Sequence, residues 1–163
     1  MARRRIKEFL VKDLIRGSIR DDGYFRRLDI IINYIGIEAH YGKSETGWEL
    51  YNKYQVTSKR RAEACKKKFV HLIKSFEENG CLSKKYPLMI STNNFLHIRN
   101  GAHRLSCAIY FGNDKVYGYV KNNPLLTDIG STLLLKRGFT VKEIEILERK
   151  KNQVLKMIGM TDE

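Results

Sequence analysis

Proline is nearly absent: Pro87 and Pro124 are the only two in 163 residues. So little proline argues against long disordered linkers. Cysteine is scarce too, and Cys65, Cys81 and Cys107 are odd in number and far apart. That spacing suggests neither a disulfide framework nor a zinc site, so buried reduced thiols are expected. No apolar run approaches the roughly 18 residues of a membrane-spanning helix. The opening MARRRIKEFLVKD has the basic start of a signal peptide but no apolar core behind it. A soluble cytoplasmic protein is the expectation. Acidic residues are the last shortage, 18 against 31 Lys and Arg, for a formal charge of +13. Such an excess favours polyanions (nucleic acid, nucleotides, phosphorylated metabolites or anionic lipid) without choosing among them. A generally basic, solvated surface would give the same total.

What the chain does hold suffices for a core. Its 163 residues are 42 % hydrophobic and include Trp48, nine Tyr and seven Phe, enough for one domain with a helical extension. Residues 1–20 are basic and weakly amphipathic, and RGSIRDDG marks a turn with a helix start. From Tyr24 onward, Phe25, Leu28, Ile32, Ile35 and Ala39 give one face of a helix that tolerates Gly36 at some cost. GKSETG is a loop, and WELYNKYQ a short helix with Thr46 as its cap.

Residues 59–78 form the clearest amphipathic helix, with Cys65, Phe69, Leu72, Ile73 and Phe76 on one face. Lys59, Arg60 and Lys66 to Lys68 crowd its first half, where cations oppose the helix dipole unless an anion sits nearby. Gly80 is placed to end it. A β-rich middle follows: a strand through LMIS after Pro87, a turn at TNN, a returning strand FLHIR, a helix over 101–111 and a strand KVYGYVK. The tail is helical, with Thr140 and Glu143 at capping-box spacing ahead of Ile144, Leu147, Val154 and Ile158. The expected organisation is one folded unit of the α/β (α+β) class. It comprises a helical leader over 1–58, a core over 59–123 and C-terminal helices over 124–163.

The stretch FLHIRNGAHRLSCAIYFG, residues 95–112, concentrates the chemistry. A strand, a tight turn at Asn100-Gly101 and a helix start together make an anion site, because the first amides of a helix lack internal partners and the dipole adds positive charge. Gly101 lets the backbone approach closely. Arg104 can clamp phosphate oxygens with two hydrogen bonds. His103 can donate a bond or move a proton near neutral pH. Asn100 can orient a phosphate or water, or help to hold a metal ion. Against this stands a plain turn whose His and Arg face water.

RNGAHRLSCAIYFG resembles the DGxHR signature of the ParB/sulfiredoxin superfamily. The upstream FVHLIKSFEENG, then PLMIS, then FLHIRNGAHR follows that family's core order, and the likeness covers about residues 60–121. The segment YFRRLDIIINYIGIEAHYGKSETGWELYNKYQ also looks like the leader of ParB-like proteins from bacterial surface-glycan and small-molecule loci. The resemblance implies a ParB/sulfiredoxin-like core with a small mixed sheet and a nucleotide-phosphate cradle at Asn100, Gly101, Ala102, His103 and Arg104. Sulfiredoxin chemistry needs a Cys where Ala102 stands, so it is disfavoured. The segregation ParB type has an arginine-rich signature and a DNA-binding helix-turn-helix, and neither is evident here. The free serine kinases of the superfamily are the closest type, with two departures: Asn100 for the usual Asp and Ala102 for a frequent His. These departures leave open a kinase of altered chemistry or a nucleotide binder without turnover.

The resemblance thus implies ATP-dependent phosphotransfer, with Mg²⁺, to a small hydroxyl metabolite such as an amino acid or a sugar; ADP or CTP are other candidate nucleotides. Arg104 and the Gly101 to His103 loop would hold the phosphates. His103 would stabilise the transferring group, and Asn100 would orient Mg²⁺ or water. A carboxylate must take the acceptor's proton. In the serine kinases a Glu upstream of the core helix does so. Glu49 is preferred for that role here, with Glu63 the alternative and a solvated helical Glu the plain reading of either. The alternative function is a nucleic-acid-binding ParB-like protein, a nuclease or a CTP- or ATP-binding regulator, motivated by the charge and by KRRAEACKKK.

Other features have bland readings. Lys66 to Lys68 suit a solvated face, or else a phosphate contact. His71 is expected to be structural. His97, between Leu96 and Ile98, is a candidate to face the same cleft as His103, and Arg99 to contact an anion. Tyr41, Tyr51 and Tyr54 suit core packing or an acceptor pocket.

Overall fold

A strand opens the chain where its sequence suggests only a basic, weakly amphipathic segment. The computed structural model describes residues 4–80, 83–123 and 125–160. Strand β1 (Lys7–Leu10) pairs antiparallel with β4 (Lys115–Val120), Lys7 opposite Gly118 and Leu10 opposite Lys115. The amide of Val11 continues the ladder to the Asp114 carbonyl at 2.9 Å. Only Phe9 in this strand is even half-buried. The sequence therefore carries no alternation, and the pairing partner is remote along the chain.

The rest of the sheet follows the expected β-β-α-β order. Strands β2 (Leu88–Ser91) and β3 (His97–Asn100) form an antiparallel hairpin, with Asn94 in the left-handed region at φ 64°. Helix α5 (Ala102–Tyr110) then carries the chain to β4, which lies parallel to β2 on its other side. The sheet is mixed, ordered β1-β4-β2-β3.

Six further helices complete the mixed α/β fold: α1 (Val11–Arg16), α2 (Leu28–His40), α3 (Gly47–Thr57), α4 (Ala62–Asn79), α6 (Ser131–Lys136) and α7 (Val141–Met157). Helix α2 corrects the one-face expectation. Every residue from Leu28 to Ile37 is buried, and the helix packs on α3, α5 and α7. It is a central helix, and its near-continuous apolar run LDIIINYIGI is what burial on all sides requires. Gly47 permits the close approach of α3, since a Cβ there would lie 2.2 Å from the Ile35 carbonyl oxygen. The Ser106 hydroxyl, 3.0 Å from the Ile30 carbonyl, fixes α5 against α2. The expected leader is thus woven into the core, and it contributes a strand as well as helices.

The caps divide. Gly80 ends α4 at φ 74°, its amide 2.6 Å from the Phe76 carbonyl. Thr140 and Glu143 form the expected capping box on α7. Thr46 does precede α3, but its backbone is near-helical and its hydroxyl makes no cap bond. Cys107 is buried and Cys65 half-buried, both free, whereas Cys81 and Pro124 lie outside the described residues. Among the described residues no helix is long and apolar enough to cross a membrane.

Candidate functional site

Strand β3 delivers Asn100 to the mouth of a cleft of about 1350 Å³. Gly101 makes the turn into α5 at φ 114° and ψ 27°. Both its conformation and its surroundings demand glycine: a Cβ would meet Leu88 Cδ2 at 2.4 Å and Arg104 Nη2 at 3.2 Å. The first internal bond of α5 runs from the Leu105 amide to the Gly101 carbonyl at 2.9 Å. The amides of Ala102, His103 and Arg104 precede it and have no place in the ladder. Among the described residues no side chain caps this end, and its first turn holds no acid.

The structure brings Asn100, Gly101, Ala102, His103 and Arg104 together on this cleft. Helix α4 forms a second wall with Lys68, His71, Leu72, Ser75, Phe76 and Asn79. Tyr54 and Arg60 come from α3 and the turn after it, Arg99 from β3, and Arg27, Asp29 and Asn33 from α2 and its approach. Arg60, Lys68, Arg99 and Arg104 make the cleft cationic. Asp29 is the one carboxylate among its described lining residues.

His103 differs from its expectation. Its Nε2 lies 2.9 Å from the Tyr51 hydroxyl, and its ring meets Phe69 edge-on with centroids 4.7 Å apart. Burial pulls its pKa down to about 4, Asp29 partly opposes this, and Arg60 and Arg104 reinforce it. Burial thus disfavours the imidazolium, and the ring is placed as a hydrogen-bonding partner of the Tyr51 hydroxyl. The same burial pushes the Tyr51 hydroxyl well above the usual tyrosine value.

Arg104 is half committed. Its Nη1 donates to the carbonyls of Tyr86 and Pro87, both at 2.8 Å, and so ties α5 to the entry of β2. Burial lowers its pKa. Among the described residues its Nε and Nη2 make no hydrogen bond, and Nη2 lies over Gly101, so these nitrogens remain for an anion. Arg99 similarly spends Nη1 on the Lys121 carbonyl at 3.1 Å.

Glu49 is exposed on α3 and does not line the cleft, and the exposed Glu63 does not either. His97, the first residue of β3, is buried with Nδ1 3.0 Å from the Phe95 carbonyl, and it does not line the cleft with His103. His71, expected to be structural, is exposed and lines the cleft with Lys68. Lys66 sits over Trp48 at 4.7 Å and Lys67 is exposed. Tyr51 belongs to the core and Tyr41 stacks on Tyr110, which leaves Tyr54 as the tyrosine of that set on the cleft, its pKa raised by burial to about 12.

The residues missed are those of α2. Arg27 Nε and Nη2 donate to the two Asp29 oxygens at 3.0 and 2.9 Å, and Nη1 to the Ile98 carbonyl. Arg27 is 3 % and Asp29 5 % exposed. Asn33 is 1 % exposed, and its Oδ1 has no hydrogen-bond partner among the described residues. The available signal was polar residues at i and i+4 inside an otherwise apolar run, a pattern that requires buried partners.

The donor set does not fit a resident Mg²⁺. Among the described residues no three His, Cys, Asp or Glu side chains cluster, and the carboxylate of the cleft is bidentate to Arg27. No family model, curated protein or solved structure matches the chain.

Proposed function

We propose that this protein binds a nucleoside triphosphate at the N-terminus of α5 and transfers a phosphoryl group to a small hydroxyl metabolite. The observation that carries the reading is one convergence. The uncapped amides after Gly101, the unspent nitrogens of Arg104 and the cations Arg60, Lys68 and Arg99 all meet in one cleft. Phosphoryl transfer asks a protein mainly for positioning and charge neutralisation, which this set supplies; the acceptor's proton would pass to Asp29, the one carboxylate among the described lining residues, as the nucleoside diphosphate leaves. The volume of about 1350 Å³ exceeds the roughly 300–1,000 Å³ of ordinary ligand sites and accommodates a nucleotide beside an acceptor. The reading also rests on the ParB/sulfiredoxin resemblance, whose order of helix, strand, strand, signature and helix falls on α4, β2, β3, the Gly101 turn and α5. ATP is the first donor to try.

The test is a thermal-shift panel of ATP, ADP, CTP and a short DNA duplex, with Mg²⁺, on wild type and Arg104→Ala. A nucleotide at 100-fold excess over Kd should stabilise wild type by roughly 2.7 kcal/mol. Arg104→Ala should lose most of that shift. No nucleotide response from wild type would overturn the reading.

The exposed Arg60, Arg61, Lys67 and Lys68 at the start of α4 favour nucleic acid as a second reading. It requires a DNA affinity that falls steeply with salt.

A further inference from the structure

The cleft is cationic at the α5 end and of another character along α2. Asp29 and Asn33 lie four residues apart on one helical face, so their side chains are neighbours, with Cβ atoms about 5–6 Å apart. Both are hydrogen-bond acceptors with unused capacity. An ionised carboxylate has about four lone-pair sites, and Arg27 takes one on each Asp29 oxygen. Asn33 Oδ1 is taken by no described residue, although the side chain is 99 % buried by its 1 % exposure. A buried amide oxygen left without a donor is costly, and no described protein group removes that cost. The pair also has no appetite for a cation. Arg27 neutralises Asp29, and Arg60 stands on the same cleft. What suits two neighbouring acceptors under those conditions is a neutral donor, the hydroxyl group.

We infer that Asp29 and Asn33 form a hydroxyl-recognising wall, a subsite for a polyol moiety held beside the phosphates. The inference rests on the phosphate-binding reading of the same cleft. The hydroxyls belong either to the ribose of the nucleotide or to the phosphate acceptor, and the two sources separate experimentally. Replacing Asn33 by leucine, close in shape and without polar atoms, removes a cost from the empty fold and a partner from the ligand. Asn33→Leu should therefore melt no lower than wild type, while the hydroxyl contact is lost. A purely structural asparagine would behave in the opposite way.

The experiment compares wild type and Asn33→Leu by thermal melting and by calorimetric binding of tripolyphosphate, ATP and 2′,3′-dideoxy-ATP. The same comparison is then made with glycerol, D-ribose and L-serine, each with and without ATP. Tripolyphosphate should bind both proteins alike, since it has no hydroxyl. With ribose on the wall, wild type should prefer ATP to dideoxy-ATP by about tenfold, and Asn33→Leu should show no preference. With the acceptor on the wall, the two nucleotides should bind alike, and one of the hydroxyl probes should stabilise wild type but not the variant. A lower melting point for Asn33→Leu with unchanged hydroxyl discrimination overturns the inference. So does the absence of any hydroxyl discrimination in wild type. Failure of tripolyphosphate and every nucleotide to bind wild type would instead remove the phosphate reading, and the hydroxyl probes on the free protein would still decide the wall. Asp29→Asn serves as a second variant. It removes one acceptor oxygen and leaves the buried Arg27 guanidinium unneutralised, so it should melt lower, bind tripolyphosphate no more weakly than wild type, and lose the same hydroxyl discrimination.

Discussion

Helices α5 and α7 begin in opposite ways. At the start of α7 the chain completes itself: the Glu143 amide donates to Thr140 Oγ1 at 3.1 Å, and the Thr140 amide to Glu143 Oε1 at 2.8 Å. Lys53 adds an ion pair to Glu143 at 2.6 Å, and these contacts lower the Glu143 pKa against the opposing effect of its partial burial. At the start of α5 there is no cap and no acid, and His103 and Arg104 sit in the first turn. Lack of a cap alone distinguishes nothing, since α1 through α4 and α6 also lack a side-chain cap. The difference lies in the surroundings. The open end of α5 faces a cationic cleft, the setting that the proposed phosphate site requires.

Three substitutions sharpen or break this contrast. The largest effect belongs to pH. His103 has a folded pKa of about 4 against an ordinary 6.5. Above pH 6.5 it is neutral whether the chain is folded or not. As pH falls from 6.5 towards 4, the unfolded chain takes up a proton that the folded chain refuses. Stability then drops by roughly 3 kcal/mol, and the loss ends below pH 4. Urea unfolding of wild type and His103→Gln across that window should show the drop shrinking in the variant by about that amount. Parallel curves would mean that His103 is not held neutral by burial.

Gly101→Ala comes next. The left-handed backbone and the contact with Leu88 should together cost about 2 kcal/mol in urea unfolding, and phosphate affinity should fall with it. A neutral substitution would show that the turn into α5 relaxes freely. Thr140→Ala is the smallest and serves as the control at the closed end. It should cost about 1 kcal/mol and leave nucleotide binding unchanged. A change in nucleotide binding there would erase the contrast between the two helix starts.

The elements that surround the cleft were legible where local chemistry decides them. Helix α4 showed in the spacing of Phe69, Ile73 and Phe76 and stopped at Gly80; α7 showed in its capping box; the NGAHR turn showed in Asn100 and Gly101 between a strand and a helix. What stayed hidden depends on residues remote in sequence. Strand β1 has one half-buried side chain and exists because β4 offers it an edge. The neutrality of His103 comes from Tyr51 and Phe69 on two other helices. His71 and Lys68 reach the cleft because of how α4 lies against α5, which their spacing does not state. Glu49 drew attention through its aromatic neighbours, yet those neighbours face the core and it faces solvent. Asp29 and Asn33 are the reverse case: polar letters in an apolar run, on the one face of a central helix that meets the cleft.

The central claim is that the open end of α5 binds phosphate and the closed end of α7 does not. The most direct measurement is a ¹⁵N-¹H NMR titration of the protein with tripolyphosphate. The account predicts saturable shifts of the Ala102, His103 and Arg104 amides, with those of Val141, Lys142 and Glu143 unmoved. Unmoved α5 amides, or equal shifts at both helix starts, would contradict it.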